Sequence, residues 1–280
     1  MISSEIHYKV GWRARSNYPG AHPSQQKGGG YQFRHHVPFL SAPDPRRFDV
    51  RASLKDPFEN LYVRLYQQTS AIPVYVLADL SASMSYVGAY SKQSTIADFV
   101  HALSYSSYRV GDRFGFVGLS DKESEPIVLP ATMNRAAGIE LAGRIREMQL
   151  IGRDANSLHL GRELLGSRRS LVFLLSDFHM PDHDIAKLTA SLAFHDVVPV
   201  ILWDAQEHQN LPNLGIARVA DPETGESRML FMRPSLRSRI EEAFNARRRQ
   251  LFQLFSRLGR PPILLEAGFN AEAVTQYFFR

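Results

Sequence analysis

Residues 74–84 read VYVLADLSASM, and the chemistry of that stretch is concentrated in Asp79, Ser81 and Ser83. One carboxylate and two hydroxyls alternate with apolar residues, so a loop here can turn three oxygen donors toward a single point. Oxygen-only donors suit a hard divalent cation such as Mg²⁺, whereas zinc takes nitrogen and sulfur. Val74 to Ala78 form a short, nearly continuous apolar run of the kind covered on both faces in a parallel sheet, which places the acid at a strand end. The competing role for the two serines is helix capping, since hydroxyls at strand-to-helix junctions commonly satisfy free backbone N–H groups.

A second apolar run, Leu171 to Leu175, also ends in an acid, Asp177 of Ser176-Asp177-Phe178. Helical spacing is expected over residues 94–109, 134–148, 158–165, 182–194, 236–258 and 270–279, and strands over 113–119, 126–129, 197–203, 215–219, 228–232 and 263–266. Strands alternating with helices predict an α/β fold, a mostly parallel central sheet with helices on both faces. Ligands of such sheets sit at the carboxyl ends of the strands, where Asp79 and Asp177 both fall. Ahead of the sheet, Pro19, Pro23, Pro38, Pro43 and Pro45 with the Gly28–Gly30 run predict extended or looped chain, and strands near 48–52 and 61–66 predict a small β layer. The expected organisation is an N-terminal loop and β extension over 1–70, a core over 71–205, and a C-terminal β and helical extension over 206–280 packed on that core.

The absence of cysteine among the 280 residues excludes disulfides, thiolate metal sites and cysteine nucleophiles. No apolar run approaches the roughly 18 residues of a membrane helix, and the start MISSEIHYKVGWRAR lacks the charged-then-apolar layout of a secretory signal, so a cytoplasmic location without membrane contact is expected. The net charge of +5 comes from residues 1–70, with ten Lys/Arg against five Asp/Glu, because the rest of the chain holds 23 of each. Those cations are dispersed and not interleaved with stacking aromatics, which favours a solvated segment or a protein partner over nucleic acid. His35, His36, His179, His183 and His195 form no recognisable catalytic set, and His195 is expected to act as a cation near a helix end. Arg247, Arg248 and Arg249 are expected on a solvated helix face. No GxSxG elbow is present, and Ser81 stands where a phosphoaspartyl transferase would want a second Asp.

The segments GGGYQFRHHVPFLSAPDPRRFDVRAS, VLADLSASM, LVFLLSDF and VVPVILWDAQEHQNLPNLGIARVADPETGE together resemble a bacterial von Willebrand factor A (vWA)-like family, otherwise described only as a domain of unknown function. Its members are typically linked to MoxR-type AAA+ ATPases, and the single-domain form is similar to the MxaS members associated with methanol dehydrogenase maturation. The resemblance implies a Rossmann-like vWA domain with a small N-terminal β-rich extension. It implies that Ser81 and Ser83 contact Mg²⁺ (or Ca²⁺ or Mn²⁺) through their hydroxyls, with Asp79 and Asp177 anchoring the ion directly or through water. Such an adhesion site usually adds a Thr from the loop before the helix that precedes the second acidic strand. Here that loop is IGRDANSLHLG, with Ser157 placed to supply the hydroxyl and Asp154 or Asn156 as alternatives. The implied function is non-enzymatic: an adaptor that binds a client protein through an acidic side chain and works with a MoxR-type ATPase in maturation or remodelling of a target complex. The alternative from another class is a metal-dependent hydrolase using the Asp79/Asp177 cation to activate water.

Overall fold

A computed structural model describes residues 5–14, 20–120, 125–150, 158, 160–204, 206, 212, 214–220 and 227–279. The chain divides into two compact units, one made of residues 9–72 and 110–112 and the other of residues 1–8, 73–109 and 113–280.

In the smaller unit a long strand β1 (His22–Pro38) pairs antiparallel with β2 (Tyr62–Ser70), and a short helix α1 (Val50–Leu54) lies between them in sequence. The expected strand at 48–52 is therefore a helix, with only Phe48 bridging to Val63. Asp49 accounts for the difference. Its carboxylate accepts the Ala52 N–H at 3.0 Å, and the Ser53 hydroxyl donates to the Asp49 carbonyl at 2.8 Å, so side-chain capping overrides the alternating pattern. Asp49 also accepts Arg64 Nε at 2.7 Å and lies 2.9 Å from His36 Nε2, which gives His36 a structural partner. At the other end of the hairpin, His22 Nε2 lies 2.7 Å from the fully buried Asp112, which also accepts the Ile72 N–H at 2.9 Å.

The larger unit is built on a six-stranded sheet in the order β10-β7-β6-β3-β4-β5, comprising β3 (Pro73–Asp79), β4 (Arg113–Leu119), β5 (Ile127–Thr132), β6 (Leu171–Ser176), β7 (Asp196–Leu202) and β10 (Ile263–Leu265). All neighbours are parallel except the edge pair β4–β5. The sheet is thus mixed but mostly parallel, and the segment 206–280 contributes one edge strand to it. A separate antiparallel ribbon is formed by β8 (Gly215–Ala220) and β9 (Ser227–Met232).

Helices cover both faces because the central strands are apolar on both sides; every residue of β6 is buried. On one face Phe173 of β6 meets Phe99 of α2 (Lys92–Val110) at 5.2 Å between ring centres and Phe278 of α7 (Ala271–Phe278) at 6.0 Å. α3 (Arg135–Glu147) packs close beside α2, since a Cβ at Gly138 would lie 2.4 Å from Ser104 Cβ. On the other face Val172 and Leu174 share one apolar cluster with Ile185 and Leu188 of α5 (Asp182–Ser191) and with Leu251 and Phe255 of α6 (Pro234–Arg257). α4 (Gly161–Leu164) sits against Leu77 on the same side. Among the described residues no helix is long and apolar enough to cross a membrane.

Phe173 is in contact with helices from two separate parts of the chain, so Phe173→Ala should lower the unfolding free energy by about 3–5 kcal/mol, read from the midpoint of urea unfolding. Phe58→Ser, at a side chain 82% exposed, should change it by less than about 0.5 kcal/mol.

Candidate functional site at the carboxyl edge of the sheet

β3 and β6 lie side by side, and the chain connects outward in opposite directions from them, to β4 and β5 on one side and to β7 and β10 on the other. That arrangement opens a crevice at the carboxyl ends of β3 and β6, the usual ligand position of an open α/β sheet. Asp79 ends β3, and Asp177 follows the last residue of β6.

The loop after β3 folds back on its own acid. The Ser81 N–H donates to Asp79 Oδ1 at 2.9 Å, and the Ser81 and Ser83 hydroxyls lie 3.1 Å apart. Ser81 occupies the N-cap position of a 3-10 turn over Ala82–Ser85, yet its side chain makes no capping hydrogen bond. The hydroxyl therefore points into the cluster, not at the turn, which removes capping as the explanation of this serine. Asp79 and Ser81 are completely buried, and Ser83 nearly so.

Across the crevice the Ser176 hydroxyl donates to Asp79 Oδ2 at 2.9 Å and accepts the Phe178 N–H at 3.0 Å, joining the two strand ends through one side chain. Asp177 Oδ1 accepts the His179 N–H at 3.3 Å, and Oδ2 accepts the Lys92 ammonium at 3.3 Å. Burial, and secondly the nearby Asp177 carboxylate, push the Asp79 carboxyl up to about 6, against hydrogen bonds from Ser81 and Ser176 that act to lower it. Two acids in one dry crevice repel each other, so a positive charge is needed to hold both ionised.

Neighbouring elements fix the second acid and its loop. Trp203 Nε1, just beyond β7, donates to the Asp177 carbonyl at 2.8 Å, and the His179 ring stacks on Trp203 at 5.7 Å. Phe178 has a left-handed backbone, φ 53°, which a bulky residue adopts only under constraint. Arg247 of α6 supplies the constraint: its Nη2 donates to the carbonyls of Phe178 at 2.9 Å and Met180 at 2.7 Å, and its Nη1 to Asp182. Asp204, buried at the end of β7, accepts the Tyr90 N–H at 2.9 Å and so holds the far side of the loop after Ser83. Gly88 lets the loop approach closely there, since a Cβ would stand 2.5 Å from an Asp204 oxygen and displace it.

The structure thus brings Asp79, Ser81, Ser83 and Asp177 together, while Ser157, Asp154 and Asn156 lie outside the described residues. Two expectations change. Arg247 is a clamp on the loop after β6 and not part of a solvated face. His195 is buried, and burial, with Arg162, Arg260 and Arg169 nearby, pushes it toward the neutral form, so it does not serve as a cation at a helix end. Lys92 belongs to no motif, and an isolated Lys at the start of a helix gives no signal of burial. The donor set of two carboxylates and two hydroxyls fits a hard divalent cation by its chemistry. Among the described residues there is no cluster of three or more His, Asp or Glu placed to hold a metal, so any such ion depends on the serines.

A family model described as "Protein of unknown function DUF58" matches residues 45–250. A Paracoccus denitrificans protein named "Uncharacterized protein in moxR 3'region" is 33% identical over 99 residues, which is 35% of this chain and 94% of that one. Among solved structures, the conserved hypothetical protein BatB from Bacteroides thetaiotaomicron is similar with a TM-score of 0.45 at 11% identity, covering 75% of this chain and 96% of that chain. An aerotolerance-related membrane protein from Bacteroides fragilis gives 0.43 at 11%, covering 75% and 97%.

The raised Asp79 carboxyl has a definite pH consequence. Its folded value lies above the unfolded value of about 3.9, so the native state binds the extra proton between the two; the stability this contributes is complete below about pH 4 and is lost as pH rises through about 6. In a chelator-containing buffer, wild type should lose up to roughly 3 kcal/mol relative to Asp79→Asn between pH 4 and 7, measured by urea unfolding across that range.

Proposed function

The chain belongs to the DUF58 family, and we propose that it is a vWA-type adaptor. It binds a protein partner through a cation held by Asp79, Ser81, Ser83 and Asp177, and works with a MoxR-type AAA+ ATPase. The observation that carries this reading is the convergence of the four side chains at the carboxyl ends of β3 and β6, with the Ser81 hydroxyl free of any capping role. The name of the Paracoccus relative supports the choice of ATPase.

Each residue has a separate task in this arrangement. Ser81 and Ser83 present neutral oxygens, which leave an ion more of its positive character than carboxylates would. Asp79 is fixed by the Ser81 N–H and the Ser176 hydroxyl and contributes charge. Asp177 supplies the opposing wall, aimed by Trp203 and by the Arg247 clamp. When bound, Mg²⁺ or a similar ion supplies a coordination position that a partner's carboxylate can complete. The chemistry is recognition without turnover, in the cytoplasm, ahead of remodelling by the ATPase. The narrower resemblance to MxaS members makes methanol dehydrogenase the first client to test.

Immobilised wild-type protein should retain a purified MoxR-type ATPase or the client complex in Mg²⁺ and lose most of it in EDTA. Ser81→Ala and Asp177→Asn should lower retention at least about tenfold, the usual scale for losing a bound charge or its ligand. Retention by the double variant in Mg²⁺, or by wild type in EDTA, equal to that of wild type in Mg²⁺ would remove the cation from the function.

A further inference from the structure

Lys92 is the feature that this reading leaves unexplained. Lysine is almost never fully buried unless paired. Here the side chain is 5% exposed, and its ammonium lies 3.3 Å from an Asp177 carboxylate that is 4% exposed. The pair sits inside the same crevice as Asp79, Ser81 and Ser83. A divalent ion drawn to those oxygens needs Asp177 as its second carboxylate, and one of the two Asp177 oxygens already takes the ammonium. Two positive charges brought against one buried carboxylate repel each other strongly in low dielectric. The lysine is also able to leave. It is the first residue of α2, its four-carbon stem is flexible, and its ammonium already lies 5.8 Å from the centre of the partly exposed Tyr86 ring, a cation–π partner it can keep on leaving Asp177.

We propose that Lys92 is a tethered competitor of the divalent cation: its ammonium holds Asp177 when no ion is bound and moves toward Tyr86 when one binds. The inference rests on the reading of the crevice as a cation site and adds its regulation. The site then has two states. In the lysine-closed state the ammonium compensates Asp177, so that carboxylate does not depend on metal for a partner. In the open state the same carboxylate is released to the ion, and a partner's acidic side chain finds a cation only above a threshold of divalent ion. Affinity is lowered in proportion to the fraction of molecules held closed.

The full-length chain is titrated with Mn²⁺ by calorimetry as wild type, Lys92→Met and Lys92→Gln, with Asp177→Asn to assign the heat to this crevice, and each is melted in EDTA and in millimolar Mg²⁺. Both Lys92 variants should bind Mn²⁺ about tenfold or more tightly than wild type. They should melt below wild type in EDTA, because a buried carboxylate has lost its partner, and recover in Mg²⁺, while wild type shifts little. Equal or weaker Mn²⁺ binding by folded variants would overturn the competition and leave the cation site standing. No Asp177-dependent binding by any of the three would overturn the cation site itself and the competition with it.

Discussion

Two carboxylates at the ends of adjacent parallel strands form the constraint on which the rest of this structure depends. β3 and β6 pair in register from Val74 and Leu171 onward, so Asp79 and Asp177 are delivered to the same crevice by the backbone itself. Burial of Asp79, and secondly repulsion from Asp177, raise the Asp79 carboxyl. Everything around the crevice either tolerates that charge or answers it: N–H groups of Ser81 and His179, the Ser176 hydroxyl, and the Lys92 ammonium.

Holding the second acid costs backbone strain. Phe178 is turned into the left-handed region so that its ring reaches Phe255 at 5.0 Å while its N–H reaches the Ser176 hydroxyl. Burial of that ring in the cluster with Leu251 and Phe255, and the grip of Arg247 on the Phe178 and Met180 carbonyls, offset the strain. α6 is therefore more than a cover for the sheet: it carries both the apolar wedge and the clamp that orient the loop after Asp177. Core packing and site geometry are the same interaction seen from two sides.

The most apolar elements and their terminal acids were readable from the sequence because burial on both faces leaves a continuous hydrophobic run, and an acid that interrupts it stands out. β3 with Asp79 and β6 with Asp177 are of this kind, and so are the helices whose spacing repeats over several turns. The pattern at 48–52 reads as a strand, whereas α1 is helical because one capping side chain, Asp49, acts over its five residues. Lys92 and Arg247 were not legible for a different reason. Their roles come from partners 85 and 69 residues away in sequence, and no local pattern encodes such a contact. His195 shows the same limit with opposite sign, since burial, and secondly three arginines from elsewhere in the chain, push it toward the neutral form.

The central claim is that Asp79, Ser81, Ser83 and Asp177 enclose a divalent cation. Its most direct test is the anomalous difference density of a crystal grown in Mn²⁺. The account predicts one peak within coordination distance of the Ser81 and Ser83 hydroxyls, beside Asp177, with Lys92 Nζ withdrawn from the carboxylate toward Tyr86. A crevice without such a peak at saturating Mn²⁺, with the ammonium still on Asp177 Oδ2, would contradict it.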